Sequence, residues 1–296
     1  MKNLDLELLR TFVAVADARS FASAGVRTGR SQAAVSQQMQ RLETLVGVPL
    51  FRKDGRNKLL TPHALQLLGH ARELLRINDD AIQSVVNGAQ AGVLRIGSPH
   101  DVSDTLLPPI LAHIARWAPG LRIELDVGRS PFLMQALHRG EIDMTLSTRE
   151  DPSLEGILLR TSPTAWICAS QYEHVLHAPI PLVLADEPSI FGRLAIAALD
   201  AAQMRWREAY VASNLLGVKA ALRAQLGVTA RSIELLGPEL RVLGDSDGLP
   251  RLPDVNYYLW IRPHNANALA RQAFDLLSRV MPVQRRSAAA AAQENR

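Results

Sequence analysis

Ser31-Gln32-Ala33-Ala34-Val35-Ser36-Gln37-Gln38-Met39-Gln40-Arg41-Leu42-Glu43 is the stretch that decides the fold of this chain. It opens with serine, a preferred helix N-cap residue. Val35, Met39 and Leu42 then repeat at helical spacing, while hydroxyl, amide and guanidinium side chains occupy the other face. The pattern predicts a helix that packs on a small core and presents hydrogen-bonding groups to base edges in a DNA major groove.

Two shorter helices are predicted before this stretch, over residues 5–18 and 21–28. Apolar residues recur at helical spacing in the first, and Ser20 is a candidate cap for the second. Phe21, Ala24 and Val26 are expected to face inward. Gly29-Arg30 forms the turn to the third helix, which is expected to end at Gly47. This order is that of a helix-turn-helix.

A basic hairpin is predicted next, over residues 50–61. Asp54-Gly55 is a two-residue turn signal between two short apolar runs. Four basic residues crowd this hairpin: Arg52, Lys53, Arg56 and Lys58. The sequence therefore predicts a wing that lies along the phosphate backbone.

The basic charge is concentrated in this part of the chain. Residues 19–58 hold eight basic and two acidic residues, a net +6, whereas residues 91–296 are balanced. Such a local excess is the footprint of a phosphate-binding surface. The alternative is a solvated face kept basic for solubility.

Within the predicted helix-turn-helix, residue types suggest separate roles. Ser31 and Gln32 stand at a helix N-terminus, where amides and the helix dipole attract phosphate. Ser36, Gln37 and Gln38 follow one turn later and are candidates for base edges, and Arg41 for a phosphate or guanine. Ala34 belongs to the same expected DNA-facing set. Arg52, Arg56 and Lys58 are expected to hold phosphates from the wing.

A long helix is predicted from Thr61-Pro62 to about residue 88, because threonine caps and proline suits the first turn. Six apolar residues and Asn78 follow a 4-3 spacing typical of the seam of a two-stranded coiled coil: Ala64, Leu68, Ala71, Leu75, Asn78, Ile82 and Val85. We interpret it as a dimerisation helix, the alternative being an ordinary core helix. Gly88-Ala89-Gln90-Ala91-Gly92 is expected to be a hinge.

Strand and helix patterns alternate from residue 93 to 282, which predicts a parallel sheet with crossover helices. The last helix is expected over 266–281. The segment 283–296 is basic, then alanine-rich and polar, and is expected to be disordered.

Small polar residues follow several predicted strands, where a ligand cleft is expected in such folds. The candidate ligand-binding residues are Ser98, Pro99, His100, Ser130, Ser147, Thr148, Ser213, Asn214 and Thr229. The alternative for each is a helix cap or a turn. Arg129, Arg149 and Arg160 are candidates to neutralise a carboxylate ligand, the alternative being ordinary surface arginines.

Several function classes lack support in the sequence. No run of about 18 apolar residues predicts a membrane span. Cys168 is the single cysteine and is expected to be a buried, inert thiol in a reducing cytoplasm. Glu173, His174 and His177 have only a weak metal-like spacing. Without a Walker loop, zinc-ligand cluster or nucleophile elbow, we expect no catalysis, metal or cofactor.

Residues 1–90 resemble the winged-helix domain of LysR-type transcriptional regulators. The carrying segments are Leu9-Arg10-Thr11-Phe12, Ser20-Phe21, the stretch 31–43, Gly47 with Leu50-Phe51, and Leu60-Thr61. The remainder resembles the effector-binding domain of that family, which has two α/β subdomains similar to periplasmic binding proteins.

The resemblance implies an α/β protein with an N-terminal winged helix-turn-helix at 1–61 and a linker helix and hinge at 62–92. An effector-binding domain would span 93–282, with subdomain I at 93–160 and 264–282 and subdomain II at 161–263. It also implies a homodimer or homotetramer on double-stranded promoter DNA with an interrupted inverted repeat, a small-molecule effector and contact with RNA polymerase.

A narrower resemblance, to the subgroup of LrhA, HexA and PecT, covers nearly the whole chain. It is carried by Asn3-Leu4-Asp5-Leu6 and by the segments 55–61, 160–166, 180–184, 210–213 and 226–231. It implies a global regulator, often a repressor, of motility, exoenzyme or virulence genes. Thr28, Gly25 and Ala64 depart from the usual family pattern, and Gly25 is expected to cost about 1 kcal/mol of helix propensity.

Two alternatives of other classes stay open from sequence. One is a small-molecule-binding protein whose N-terminal domain serves mainly in oligomerisation. The other is an α/β enzyme with an accessory DNA-binding domain. The local charge of the segment 19–58 and the polar face of the third helix favour the DNA-binding regulator.

Overall fold

The computed structural model describes residues 3–54, 57–87, 92–265, 267–281 and 284–286. For residues 53, 54, 57, 58, 80, 83–87 and 284–286 it describes the backbone alone. None of the helices in these ranges has the length and apolarity needed to cross a membrane.

The N-terminal unit is built from three helices, α1 (Leu6–Ala18), α2 (Phe21–Thr28) and α3 (Gln32–Val46). Ser20 and Ser31 cap α2 and α3 as predicted, and Asp5, expected inside the first helix, caps α1; each accepts a hydrogen bond from a first-turn amide. Gly29 and Gly47 end α2 and α3 with φ of 65° and 85°, which glycine adopts without steric cost.

Val26 is an exception to the predicted core, since 86% of its surface is exposed. Gly25 is buried in its place. A Cβ at Gly25 would lie 2.6 Å from the Arg30 backbone oxygen, so the turn between α2 and α3 packs directly on this glycine. The expectation that Val26 faces inward is therefore wrong.

Two antiparallel strands, β1 (Phe51–Asp54) and β2 (Asn57–Leu60), form the predicted hairpin. Gly55 and Arg56, at its turn, lie outside the described residues. The Phe51 ring packs edge-on against Phe12 and Phe21, with centroids 6.0 and 5.2 Å apart. These ring contacts anchor the hairpin on α1 and α2.

Helix α4 (Pro62–Asn87) has different surroundings in its two halves. Ala64, Leu68, Ala71 and Leu75 are buried in the core of their own N-terminal unit. Leu74, Ile77 and Ile82, in contrast, are 40%, 44% and 53% exposed. The first half is thus a core helix, which corrects the expectation of one continuous dimer seam. Residues 88–91 of the predicted hinge lie outside the described part of the chain.

A mixed six-stranded sheet organises most of the next unit, in the order β13-β6-β12-β5-β3-β4. Its strands are β3 (Val93–Pro99), β4 (Arg122–Gly128), β5 (Met144–Ser147), β6 (Glu155–Ser162), β12 (Val255–Ile261) and β13 (Gln284–Arg286). Helices α5 (Leu107–Trp117) and α9 (Ala268–Val280) share one apolar core with this sheet, and α6 (Ser130–His138) shares another. Alternate residues of β12 enter the two cores, as expected of a strand buried on both faces.

A second, smaller unit is formed by β7 (Thr164–Ala169), β8 (Ile180–Ala185), β9 (Trp206–Ala212), β10 (Thr229–Ser232) and β11 (Leu240–Leu243). β7 pairs antiparallel with β10 and β11, and β8 pairs parallel with β9. A parallel bridge between Leu182 and Val228 links the two sets. Helix α7 (Ile190–Ala201) packs in one apolar core of this unit, and helix α8 (Leu215–Arg223) packs in another.

The structure corrects three expectations here. The six-stranded sheet is not purely parallel, since β12 runs antiparallel to β5 and β6, and among the described strands of the second unit only β8 and β9 pair in parallel as a sheet. β6 was not predicted, and β12 lies in the first sheet although the expected boundary at 263 assigns it to subdomain II. Residues 284–286 pair with β6 instead of being disordered, because β6 offers them an unpaired edge; residues 287–296 lie outside the described part.

Candidate nucleic-acid interface and ligand cavity

Helix α3 presents one exposed polar face away from the core. Ala33, Gln37, Gln40 and Thr44 are exposed and follow the 4-3-4 spacing of one helix face, with Arg41 beside them. Val35, Met39 and Leu42 are buried on the opposite side. The exposed face is therefore free to enter a groove while the buried face holds the helix on α1 and α2.

The ten residues predicted to contact DNA occupy different surroundings. Gln32, Gln37 and Arg41 are exposed on α3, and Arg52 is exposed on β1. Ser36 and Ala34 are half-buried. Arg56 lies outside the described residues, and so does the side chain of Lys58.

Ser31 and Gln38 already have structural partners. The Ser31 hydroxyl accepts a hydrogen bond from the Ala34 amide at 3.2 Å. The Gln38 side-chain oxygen accepts one from the buried Thr11 hydroxyl at 2.6 Å. Gln38 therefore holds α3 against α1, and its oxygen is engaged away from the exposed face.

Sequence reasoning missed the positions of Gln40 and Glu43. Gln40 lies in the middle of the exposed face, and the helical spacing from Gln37 was the signal for it. The Glu43 carboxylate accepts hydrogen bonds from the amides of Leu50 and Phe51, at 2.7 and 3.1 Å. Glu43 thereby fixes the position of the hairpin relative to α3.

A cavity of about 110 Å³ lies between the two α/β units. It lies where β3, β5 and β8 end and where α6, α7 and α8 begin. Five of the nine predicted ligand-binding residues line it: Pro99, His100, Ser130, Thr148 and Asn214.

Those lining residues also hold the walls together. The Ser130 hydroxyl accepts a hydrogen bond from the Thr148 amide at 3.1 Å. The Asn214 side chain accepts one from the Gly217 amide at 3.0 Å and so caps α8. The cap and turn roles considered from sequence therefore coexist with a position at the cavity.

The other four predicted residues are not at the cavity wall. Ser98, Ser147 and Thr229 are fully or almost fully buried. Ser147 accepts a hydrogen bond from the Arg149 amide at 3.0 Å, which closes a turn. Ser213 contributes its backbone oxygen to Arg129. Ser98, Ser147 and Ser213 thus each place a polar group in a contact within the protein.

Arginines, which the sequence only partly indicated, dominate the polar lining. Arg129 ties the two units together: it pairs with the Asp186 carboxylate and donates to the Asp186 and Ser213 carbonyls at 2.9 and 2.6 Å. Arg149 lies at the exposed rim. Arg160 is elsewhere, paired with Glu234 at 2.8 Å.

Arg231, Phe191 and Tyr257 form the deepest part of the cavity and gave no sequence signal. Arg231 is 6% exposed, lies over the Phe191 ring and faces Asp101 at 3.4 Å. Burial raises the pKa of the Tyr257 hydroxyl above its ordinary value, so it stays neutral. The three converge from β10, α7 and β12, which are far apart in sequence.

The side chains at Glu173, His174 and His177 do not form a metal cluster. The His174 ring nitrogen Nε2 lies 3.0 Å from the Asp247 carbonyl. No group of three histidine, cysteine or acidic side chains within the described ranges could hold a metal ion.

Two family models match the chain. Residues 6–65 match the bacterial regulatory helix-turn-helix protein, lysR family, and residues 87–282 match the LysR substrate binding domain. The chain is 47% identical to the HTH-type transcriptional regulator PecT of Dickeya dadantii over 95% of this chain and 90% of that protein.

Full-length solved structures share the fold. Full-length CbnR complexed with its target DNA superposes with a TM-score of 0.61 at 19% identity, covering 93% of this chain and 99% of that one. LysG of Corynebacterium glutamicum with bound effector Arg superposes with a TM-score of 0.62 at 20% identity, covering 92% and 96%.

Proposed function

Since this chain belongs to the LysR family of DNA-binding transcriptional regulators, in the subgroup of PecT, we propose that it reads promoter DNA with α3 and the wing. Its effector-binding domain then senses a small molecule at the cavity between the two α/β units. This family consists of regulators rather than enzymes.

The observation that carries the DNA-binding proposal is the exposed face of α3. Gln37 projects there one turn after the helix start, and an amide side chain can pair with adenine. Arg41 lies exposed beside this face, the wing residue Arg52 is also exposed, and both supply charge for phosphates. We assign base reading to Gln37 and Ser36 and backbone contacts to Arg41, Arg52, Arg56 and Lys58.

Oligomerisation is assigned to the second half of α4. Leu74, Ile77 and Ile82 are 40%, 44% and 53% exposed on this helix, an arrangement that a second copy would cover. A two-fold dimer presents two α3 helices to two half-sites, which predicts an interrupted inverted repeat. The repeat would be occupied by a homodimer or by two dimers in a homotetramer.

We further propose that the protein represses genes of motility, exoenzymes or virulence, as its subgroup resemblance implies. The test is genome-wide binding of the tagged protein in its own host, footprinting of the strongest site and transcript measurement after gene deletion. We expect a small set of promoters with an interrupted inverted repeat and raised transcripts of those gene classes. Specific binding at unrelated promoters would refute the proposed set of regulated genes but support the proposed role as a DNA-binding regulator.

A substitution on the exposed face of α3 distinguishes the proposed function from the alternative of a small-molecule-binding protein. Gln37→Ala is expected to abolish discrimination at a base position while leaving the oligomer intact by size-exclusion chromatography. If wild-type protein shows no sequence preference on DNA, with and without cell extract as a source of effector, the alternative is favoured.

A further inference from the structure

We propose that the cavity between the two α/β units binds the carboxylate group of a small organic acid, an inference that rests on the proposed role of this cavity as the effector site. Three features of the described residues point to an anion rather than a neutral or cationic ligand. They are the direction of the surrounding helices, a buried arginine and the charge balance of the lining.

Three helices begin at the cavity wall. They are α6, α7 and α8, which have nine, twelve and nine residues, and Ser130, Ile190 and Leu215 are their first residues at the cavity. A helix N-terminus carries a partial positive charge, so all three favour a negative group in the space between them. Convergence of the helices alone does not establish a site, because side chains already cap α7 and α8.

Arg231 provides an observation that does not depend on the helix N-termini. Its side chain is 7% exposed, lies at the cavity and leaves Nε without a hydrogen-bond partner among the described residues. Its contact to the Asp101 carboxylate is long, at 3.4 Å through Nη1. A buried guanidinium with an unused donor is costly, and a ligand carboxylate would satisfy it with a charge-assisted hydrogen bond.

Arginines outnumber carboxylates among the residues that line the cavity. Arg129, Arg149, Arg193 and Arg231 line it, whereas Asp101 is the one carboxylate among the described lining residues. Arg129 is neutralised by Asp186, and Arg193 pairs with Glu187 at 3.3 Å; both carboxylates lie outside the lining. A cationic ligand would therefore meet one carboxylate that already faces Arg231, whereas an anion would meet Arg149, which forms no ion pair within the described residues, and the unused Nε of Arg231.

The size and walls of the cavity indicate a short ligand. Phe191, Ile190 and Leu215 supply apolar surface next to Arg231. A cavity of about 150 Å³ in another protein accommodates benzene, and this one measures about 110 Å³ with one side open. We infer a compact acid with a short hydrocarbon part, whose carboxylate points to Arg231.

The test uses the full-length protein and pairs of acids with their neutral amides: acetate and acetamide, propionate and propionamide, lactate and lactamide, benzoate and benzamide. Glycine serves as a zwitterion. Thermal unfolding identifies stabilising compounds at constant ionic strength, and titration calorimetry gives their Kd. We expect at least one acid to raise Tm and its amide to have no effect. Equal effects of acid and amide, a response to glycine alone, or no response to any compound would overturn the carboxylate assignment.

Three variants locate the site. Arg231→Gln is expected to weaken binding of the responding acid by about tenfold or more, the loss of one charge-assisted hydrogen bond. Arg149→Glu, at the exposed rim, keeps the fold and places a negative charge at the entrance, so it is also expected to weaken binding. Arg223→Gln is the control, since this exposed arginine of α8 pairs with Glu239 away from the cavity. Unchanged affinity in Arg149→Glu and in folded Arg231→Gln would overturn the proposal.

DNA binding by the same samples separates this inference from the proposed function. Sequence-specific binding to the footprinted promoter without any response to acids would refute the carboxylate and leave the regulator. Acid binding without specific DNA binding would retain the carboxylate site and refute the proposed function.

Discussion

At the scale of single residues, helix propensity and close packing make opposite predictions for the replacement of Gly25 by alanine. Helix propensity alone makes glycine about 1 kcal/mol worse than alanine inside a helix. In the fold, however, a Cβ at this position would lie 2.6 Å from the Arg30 backbone oxygen. The Arg30 amide also donates to the Gly25 carbonyl at 2.8 Å, so the turn cannot move away without losing that bond. Close packing of the turn on α2 thus requires glycine here.

We therefore expect Gly25→Ala to destabilise the protein, by about 1–3 kcal/mol as in overpacked cores. The variant should also weaken DNA binding, because the displaced turn leads directly into α3. Thermal unfolding and DNA titration measure the two effects. Gly69→Ala is the matched control: it lies in α4 with no atom within 4 Å of an added Cβ, and it should gain up to about 1 kcal/mol. A gain in both variants would show that propensity outweighs the contact.

At the scale of elements, a side chain of α3 holds the start of the wing. The Glu43 carboxylate accepts from the amides of Leu50 and Phe51 just as β1 begins. Leu50 is 1% exposed, so its amide has no access to water in compensation. Glu43 thus acts together with the ring contacts of Phe51 to set the orientation of the wing relative to α3.

Glu43→Ala is expected to cost about 1–3 kcal/mol of folding free energy, since it leaves a buried amide without a partner. Glu43→Gln keeps an oxygen acceptor and should cost less. Chemical denaturation of both variants measures the difference. Equal losses in the two variants would indicate that the charge of Glu43, rather than its hydrogen bonds, stabilises the wing.

The helices of the N-terminal unit could be predicted from sequence because each carries its own start and stop signals. Ser20 and Ser31 cap α2 and α3, and Gly29 and Gly47 end them, all within a few residues of the helices concerned. The strands of the α/β part were harder. β6 lacks a clear alternation, and the partners of β12 lie about 100 residues away, so its place in the first sheet depends on long-range pairing.

The residues that line the ligand cavity could be predicted only in part, because local sequence signals mark some of them and not others. Ser130 and Asn214 stand at helix starts that sequence signals mark, and both lie at the cavity. Arg231, Phe191 and Tyr257 lie on elements that only the tertiary fold brings together. Residue type alone also does not distinguish two neighbouring glutamines. Gln37 is exposed, whereas the Gln38 side chain accepts a hydrogen bond from Thr11.

At the scale of the whole molecule, α4 joins the DNA-binding unit to the effector-binding unit through arginines. Arg72 pairs with Asp17 of α1 and with Glu141, which precedes β5. Arg76 lies 3.9 Å from Asp143, and both are almost fully buried. β5 (Met144–Ser147) begins directly after Asp143 and leads to Thr148 at the cavity. One buried strand thus connects the ligand cavity to the contact with α4.

Two buried carboxylates are expected to give opposite pH dependences of stability. Burial raises the pKa of Asp143, against the opposing effects of the Arg95 amide and Arg76. Burial also acts to raise the pKa of Glu234, but contacts from Thr105, Arg160 and Ser162 outweigh it and lower that pKa. By linkage, Asp143 stabilises the fold below its unfolded pKa and loses this effect as pH rises through the raised value. Glu234 stabilises the fold above its unfolded pKa and loses this effect as pH falls.

The free energy of unfolding of wild type, Asp143→Asn and Glu234→Gln, measured between about pH 3 and 7, checks these signs. The difference between wild type and Asp143→Asn should fall as pH rises. The difference between wild type and Glu234→Gln should rise. Slopes of the same sign in the two comparisons would contradict the assigned environments of these carboxylates.

The central claim is that α3 reads sequence while the wing holds the backbone. The most direct test is the Kd of wild type, Gln37→Ala and Arg52→Ala on the footprinted site and on every single-base substitution of it, at several salt concentrations. Gln37→Ala should lose about 1–3 kcal/mol at one base position of each half-site. Arg52→Ala should weaken all sites about equally and lower the salt slope by about one. A uniform loss for Gln37→Ala, or a base-selective loss for Arg52→Ala, would contradict the account.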